Sequence, residues 1–322
     1  MSRAVDACLA ALAPVVWGST YIVTTQMLPP GYPLTTALLR ALPAGLLLLL
    51  LARRLPPRAW LGRLLVLGAL NFTIFWAALF VAAARLPGGV AATVGAVQPL
   101  MVLLLARALL GTPISARGLG AAGVGIAGVG LLVLGPGAGL DALGVAAALV
   151  GAFSMACGVV LTRKWQPPVP ALTFTAWQLC AGGMLLVPLA LALEPPLPPL
   201  DSVNIAGFVW LGAVGAALTY FFWFRGIARL GPGVVTAFGF LSPVSAVVLG
   251  WVFLGEILTP WQGLGALIVL GCVAVGSRPV RPPKRGPVLA AKAVLAHDER
   301  EEENGARPCT PCRSIPTPRS SA

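Results

Sequence analysis

Arg40 is the charged residue that lies deepest in an apolar run of this chain, within residues 34–51. A guanidinium at the centre of a membrane helix costs roughly 2.5–3.5 kcal/mol, so a residue in that place is a functional candidate by default. The alternative is that its long side chain extends to the nearer interface and keeps the charge in water. The sequence leaves both interpretations open. The second half of the chain resembles the first, and Trp177 and Gln178 occupy the place in it that matches Arg40. The role of Arg40 is therefore not repeated in the second half.

Most other polar residues in the apolar runs are neutral, and aromatic residues accompany them. A cavity with aromatic walls and a few neutral donors suits a planar, mostly uncharged organic molecule better than an inorganic ion. The candidate substrate-binding residues are Trp17, Tyr21, Arg40, Asn71, Trp76, Gln98, Tyr220 and Ser242.

The chain has two similar halves, in which residues 67–99 align without a gap with residues 211–243. This alignment places Pro99 opposite Pro243. Each proline lies inside an apolar run, directly after Gln98 or Ser242. Proline removes a backbone hydrogen bond and kinks a helix, which frees carbonyl groups. Matched broken helices in two halves of a transporter indicate a site near the middle of the membrane. We therefore expect both prolines to act as hinges, since simple helix curvature would explain one proline better than a matched pair.

Nothing in the apolar runs predicts catalysis or metal binding. The one histidine, His297, lies near the C-terminus, and the runs contain no acidic pair or serine–base pair. Gly118, Gly120 and Gly123 have the spacing of a dinucleotide fingerprint, but small residues at this spacing are typical of closely packed membrane helices. We expect no enzyme activity, no catalytic residue, no cofactor and no metal. The glycine-rich runs are also compatible with a homodimer.

The elements that position these residues must be membrane helices. Hydrophobic residues make up 58% of the 322 residues and charged ones 10%, with a mean hydropathy of +0.90, whereas soluble domains carry about 25% charged residues. Long apolar runs favour helices over a barrel. The net charge of +12 lies in short loops and the C-terminal tail, which encodes topology rather than nucleic-acid binding. The expected partners are therefore membrane lipid and a small-molecule substrate.

Ten apolar runs each have near the ~20 residues that cross a bilayer. They are residues 8–28, 34–51, 64–84, 89–110, 118–134, 140–161, 171–193, 205–224, 233–254 and 260–276. Residues 67–99 align without a gap with residues 211–243, so that Arg85 matches Arg229. Five spans in each half require the halves to be inverted. The predicted fold is an all-α integral membrane protein with ten transmembrane helices in two inverted five-helix repeats.

The chain divides into a first repeat over residues 1–135, a second over 136–277 and a tail over 278–322. The tail is rich in charge and proline, which predicts disorder. If the N-terminus is cytoplasmic, nearly all basic loops fall on the cytoplasmic side, with Arg85 as the clear exception. We expect a multi-pass protein of the inner (plasma) membrane with both termini in the cytoplasm.

Several motifs resemble the EamA branch of the drug/metabolite transporter superfamily. They are Trp17-Gly18-Ser19 in the first run, Arg40 in the second and Leu254-Gly255-Glu256 after the ninth. Residues 17–25, 39–45 and 86–92 look like the PecM-like subgroup, and the resemblance covers about residues 8–277. It implies an inner-membrane exporter of small organic metabolites, pigments or related compounds among them. Thr112 departs from the acidic residue that many relatives carry there, so no proton-coupling role is carried over to it.

The predicted function is a secondary transporter that exports a small, planar or aromatic metabolite by alternating access. The alternative is a membrane sensor or regulatory subunit that signals through the cytoplasmic tail. Deleting residues 278–322 discriminates between them, because a transporter keeps its flux and a signalling protein loses its output.

Overall fold

The computed structural model describes residues 2–85, 94–133, 141–255 and 259–276, and the regular structure within them is entirely helical. The helices are α1 (Arg3–Met27), α2 (Pro33–Ala52), α3 (residues 61–85), α4 (Gln98–Leu110), α5 (Ala116–Val133), α6 (Ala142–Lys164), α7 (Ala171–Leu193), α8 (Ser202–Leu230), α9 (Pro232–Phe238), α10 (Leu241–Leu254) and α11 (Pro260–Gly276). A 3₁₀ turn, Arg58–Trp60, leads into α3.

Seven helical stretches within the described residues are long and apolar enough to cross a membrane. They are α1, α2, α3 with its leading turn, α6, α7, α8 and the α9–α10 stretch Pro232–Leu254, whereas α4, α5 and α11 are apolar but shorter. Large apolar side chains such as Leu50, Leu191 and Leu267 point outward, where lipid would cover them. The chain is therefore an all-helical, multi-pass membrane protein. The count of ten spans and the inversion of the halves stay predictions.

Two helices contain a segment of π-helix, in which hydrogen bonds join residues five apart. The segment in α3 is Ala69–Thr73 and the one in α8 is Trp210–Leu218. In the ungapped alignment of the two halves, residues 69–73 match residues 213–217, inside the second segment. The two halves therefore change helix type at the same place. Such segments are rare and are frequent at functional sites.

Pro99 and Pro243 each lie in the first turn of a helix that follows a break. Residues 96–97 form a turn before α4, and residues 239–240 form a turn between α9 and α10. A proline in the first turn removes an N–H that has no partner within the helix. The two prolines thus begin new helices rather than kink the middle of continuous ones.

The same two helices also end alike. α4 is closed by Gly111 at φ +66° and α10 by Gly255 at φ +69°. A side chain at either position would strain this left-handed conformation, so glycine fixes both helix ends.

Helices of the first half pack along helices of the second. α2 lies along α7, α5 along α11, α3 along α6, and α1 along both α8 and α10. Glycines allow the closest approaches: Gly45 faces the backbone of Cys180, and Gly68 faces Gly182. Each half therefore buries its apolar faces against the other.

Carboxylates secure the ends of several helices. Glu194, which follows α7, accepts hydrogen bonds from the backbone N–H groups of Leu34 (2.6 Å) and Thr35 (2.7 Å) and from the Thr35 hydroxyl (2.6 Å). Asp141 and Asp201 cap α6 and α8 in the same manner, each accepting from a backbone N–H at 2.7 Å. A negative charge at a helix N-terminus satisfies free N–H groups and complements the helix dipole.

Asp6, in the first turn of α1, ties α1 to the end of α8. It is only 4% exposed and accepts from Arg225 at 2.8 and 2.9 Å and from Arg229 at 3.1 Å. In a looser and more exposed pair, Arg85 at the end of α3 lies 3.9 Å from Asp141 at the start of α6. The matched residues Arg85 and Arg229 thus both contact an acid at the start of the other half's first helix.

The two ion-pair sites lie at opposite ends of α6. Asp141 precedes its first residue, and Arg163, in its last turn, donates to the carbonyl of Ala228, next to Arg229. With 23 residues in α6, the ends are roughly 35 Å apart at 1.5 Å per residue.

We predict that Gly68→Ala destabilises the protein and that Gly62→Ala in the same helix does not. A Cβ at Gly68 would lie 2.5 Å from the backbone nitrogen of Gly182, whereas one at Gly62 meets nothing within 4 Å. Overpacking of this kind costs about 1–3 kcal/mol. Thermal unfolding in detergent measures both variants, and equal melting temperatures would contradict the close packing of α3 against α7.

We also predict that Asp6→Asn lowers stability by roughly 1–3 kcal/mol, because it leaves two guanidinium groups facing a neutral amide. Asp141→Asn is the matched control. Its partner Arg85 is half exposed and more distant, so the loss is below about 1 kcal/mol. The same melting experiment compares them, and a larger effect of Asp141→Asn would show that the wrong pair has been identified as structural.

Candidate functional site

Six aromatic side chains from three helices meet inside the bundle. We call this group the aromatic cluster; its members are Trp17 of α1, Phe72 and Trp76 of α3, and Tyr220, Trp223 and Phe224 of α8. Tyr220 is central, with ring centroids 4.9 Å from those of Trp17 and Phe72 and 6.4 Å from that of Trp76. Tilted and edge-to-face pairs at such distances are favourable beyond simple burial.

The π segments position these rings. Phe72 lies within the π segment of α3, and Trp76 follows three residues after that segment ends. Thr219 and Tyr220 come directly after the π segment of α8. The five-residue hydrogen-bonding pattern changes the direction of the side chains that follow, so both helices present rings to the same interior region.

Arg40 points into the bundle and not to an interface. Its side chain is 9% exposed, and Nη2 donates to the carbonyl oxygen of Gly215 at 2.8 Å. The guanidinium carbon lies 5.3 Å from the ring centroid of Trp76, within cation–π range. Arg40 therefore adjoins the aromatic cluster from α2.

One carbonyl connects the arginine to the cluster through hydrogen bonds. The Gly215 oxygen also accepts from the Thr219 hydroxyl at 2.9 Å. That hydroxyl in turn accepts from the indole N–H of Trp17 at 2.9 Å. Three helices, α1, α2 and α8, are thereby joined at a single backbone oxygen of the α8 π segment.

Asn71 belongs to a second, separate polar group. Its Nδ2 donates to Gln178 Oε1 at 3.0 Å and to Thr162 Oγ1 at 3.2 Å, and Thr162 donates to Gln178 at 3.1 Å. All three residues are buried. A Cβ at Gly158 would fall on the Asn71 amide, so α6 packs directly against it. This group joins α3, α6 and α7 and is fully enclosed by them.

The structure brings together only some of the predicted site residues. Trp17, Arg40, Trp76 and Tyr220 meet, and Asn71 lies beside the cluster through its neighbour Phe72. Gln98 and Ser242 are half-buried at the starts of α4 and α10, and no side-chain hydrogen bond joins them to the cluster within the described ranges. The side chain of Tyr21, like all of Glu256, lies outside the described residues.

Sequence reasoning missed three residues that matter here. Gly215 contributes only a backbone carbonyl, and no sequence pattern marks which carbonyl accepts from a distant arginine. Thr162 looks like an ordinary neutral residue at a helix end. Asp6 did leave a signal, since it is a lone acid at the start of an apolar run.

The family is decided by a match over both halves. The model of the EamA-like transporter family matches residues 6–134 and residues 142–277. The chain belongs to the EamA-like transporter family. This confirms the resemblance carried by Trp17-Gly18-Ser19 and Arg40, and it makes the chain a membrane transporter.

Two relatives are similar in sequence to this EamA-like chain over most of their length. It is 46% identical over 266 residues to Protein PecM of Dickeya dadantii (strain 3937), covering 82% of this chain and 89% of PecM. It is 31% identical over 287 residues to the uncharacterized inner membrane transporter YedA of Escherichia coli (strain K12), covering 84% and 92%. A solved crystal structure of 21% identity shares the fold, with a TM-score of 0.72 over 86% of this chain and 98% of the other.

We predict that Gln178→Met destabilises this EamA-like transporter by about 1–3 kcal/mol. The methionine fills the same space but removes the oxygen that both Asn71 and Thr162 use as acceptor, leaving buried donors unsatisfied. Gln26→Met, on the exposed part of α1, is the control and leaves the melting temperature unchanged. If both variants melt alike, the Asn71 group does not hold α3, α6 and α7 together.

Proposed function

We propose that the chain is a ten-span secondary transporter that exports a small planar or aromatic metabolite by alternating access. The observation that carries the proposal is the aromatic cluster. Its rings come from α1 and α3 of the first half and α8 of the second, and one of them, Trp76, lies against a buried arginine. In transporters built from two repeats, the substrate site lies where the halves meet.

Matched features of the two halves support an inverted architecture. The π segments fall at aligned positions, as do the helix breaks before Pro99 and Pro243. The aligned residues Arg85 and Arg229 lie at opposite ends of α6. Inverted halves would carry aligned residues to opposite faces of the membrane, so this placement supports inversion. In this architecture α4, α5 and α11 are spans as well, and residues 1–135 and 136–277 are the two repeats.

The distribution of arginine supports a cytoplasmic N-terminus in the inner membrane. Asp6 lies at the end of the bundle that also carries Arg163, Arg225 and Arg229, whereas the opposite end carries Arg85. Positive charge is enriched on the cytoplasmic side of membrane proteins. The tail, residues 278–322, then follows α11 on the cytoplasmic side.

Substrate chemistry follows from what lines the site. Indole, phenol and phenyl rings offer flat apolar surfaces, and planar ligands stack on such surfaces. Pro99 and Pro243 are the proposed hinges, because α4 and α10 each start after a break in the helix and can tilt there with few backbone hydrogen bonds lost. Gln98 and Ser242 lie at these hinges and contact the substrate as it moves.

Inverted membrane vesicles test the function directly. Vesicles from cells that express the chain are incubated with a mixture of aromatic metabolites, with and without a pH gradient, and retained compounds are identified by mass spectrometry. Export from the cell appears as uptake into inverted vesicles, so retention of an aromatic compound above the empty-vector level supports the proposal. Retention of none contradicts it. Vesicles with the chain truncated after residue 277 keep the uptake if the tail has no part in transport.

We predict that Trp76→Ala and Gln98→Ala lower this uptake about tenfold while their membrane abundance stays normal. Trp76 stacks in the cluster, and loss of one ring contact of about 1.4 kcal/mol changes affinity tenfold. Trp261→Ala is the control, since Trp261 is 66% exposed on α11. Normal uptake by both Trp76→Ala and Gln98→Ala would show that the substrate passes elsewhere.

A further inference from the structure

Arg40 has no counter-ion within the described residues. The acids there are Asp6, Asp141, Glu194 and Asp201, and each lies at a helix end with partners of its own. Asp6 pairs with the arginines at the end of α8, Asp141 and Asp201 cap α6 and α8, and Glu194 caps α2. The positive charge of Arg40 is therefore enclosed among neutral groups in this part of the chain.

The neutral groups around Arg40 use only part of its hydrogen-bonding capacity. A guanidinium has five N–H donors. One nitrogen, Nη2, donates to Gly215, and the face lies over the Trp76 ring, while Nε is enclosed without an acceptor. A buried charge with an unsatisfied donor is costly unless an anion pairs with it. An anion that reached Arg40 would supply the missing acceptor and would lie beside the Trp76 ring.

We propose that Arg40 binds an acidic group of the substrate, so that the transported compound is a planar ring system bearing a carboxylate or an equivalent anion. This inference rests on the proposed function and refines it, since neutral side chains alone favour an uncharged compound. Guanidinium binds carboxylate through two parallel hydrogen bonds, which are among the strongest in proteins. The ring of the same molecule stacks against the cluster, which begins at Trp76.

A purely structural role for Arg40 makes a different prediction. If Arg40 only joins α2 to Gly215, its removal weakens the fold but leaves the choice of ligand unchanged. If Arg40 recognises an acid, its removal abolishes the preference for acidic over neutral ligands. Ligand preference therefore separates the two roles, and stability does not.

The test uses two probes of nearly the same shape, 2-naphthoate and 2-naphthamide. Isothermal titration calorimetry with the full-length chain in detergent measures their affinities for the wild type, Arg40→Gln, Arg40→Lys and Arg63→Gln. Arg63 is the matched control, because its guanidinium also lies over a tryptophan ring, 5.0 Å from the centroid of Trp60, but on the exposed surface.

We expect the wild type and Arg63→Gln to bind naphthoate at least about tenfold more tightly than naphthamide, as hydrogen bonds to a charged group imply. Arg40→Gln loses this preference. Arg40→Lys keeps a part of it, because lysine supplies the charge without the fork, and this variant carries the test if Arg40→Gln fails to fold.

Four results would overturn the inference. Equal affinities of the wild type for the two probes would show that no cation of the protein binds the carboxylate of naphthoate. If Arg40→Gln keeps the preference for naphthoate, or if Arg63→Gln loses it, the group that binds the carboxylate is not Arg40. Binding of neither probe by the wild type would instead contradict the proposed aromatic site, and the inference would fall with it.

Discussion

A guanidinium enclosed in a helical bundle needs an acceptor, and a helix carbonyl can accept a second hydrogen bond through its other lone pair. The π segment of α8 meets this need at Gly215, whose oxygen accepts from both Arg40 and Thr219. A Cβ built at Gly215 would lie 3.7 Å from Arg40 Nη2, an ordinary van der Waals distance, so the arginine packs directly against this part of α8. The position of Trp17, and with it the packing of Tyr220, follows from the same oxygen.

The two halves use one arrangement for two kinds of chemistry. Arg40 of α2 contacts the π segment of α8, and Gln178, at the matching place in α7, contacts Asn71 in the π segment of α3. The second contact is neutral and includes Thr162, so it joins three helices, although Asn71 Oδ1 and Gln178 Nε2 are buried in it without a hydrogen-bond partner among the described residues. The first contact is charged, and Arg40 Nε is buried without a partner in the described part of the chain. The duplicated framework thus holds a neutral polar contact in one place and a charged one in the other.

The helices, their order and the class of protein were predictable from the sequence. An apolar run long enough to cross the bilayer must form a helix there, because lipid offers its backbone no hydrogen-bond partner. The expected run 171–193 coincides with α7. The inward direction of Arg40 was not predictable, since it depends on a carbonyl 175 residues away. The same is true of Asp6, whose partners lie 219 and 223 residues later. Long-range polar contacts leave no local pattern, so they appear only with the fold.

The packing of α5 along α11 has a consequence for biosynthesis. Gly128 of α5 faces Ile268 and Val269 of α11, yet those residues emerge from the ribosome long after α5 has entered the bilayer. At about 5–20 residues per second, translation leaves this glycine face without its neighbour for on the order of 10–30 s. The contact between α5 and α11 therefore cannot form until nearly the whole of the second half has been synthesised.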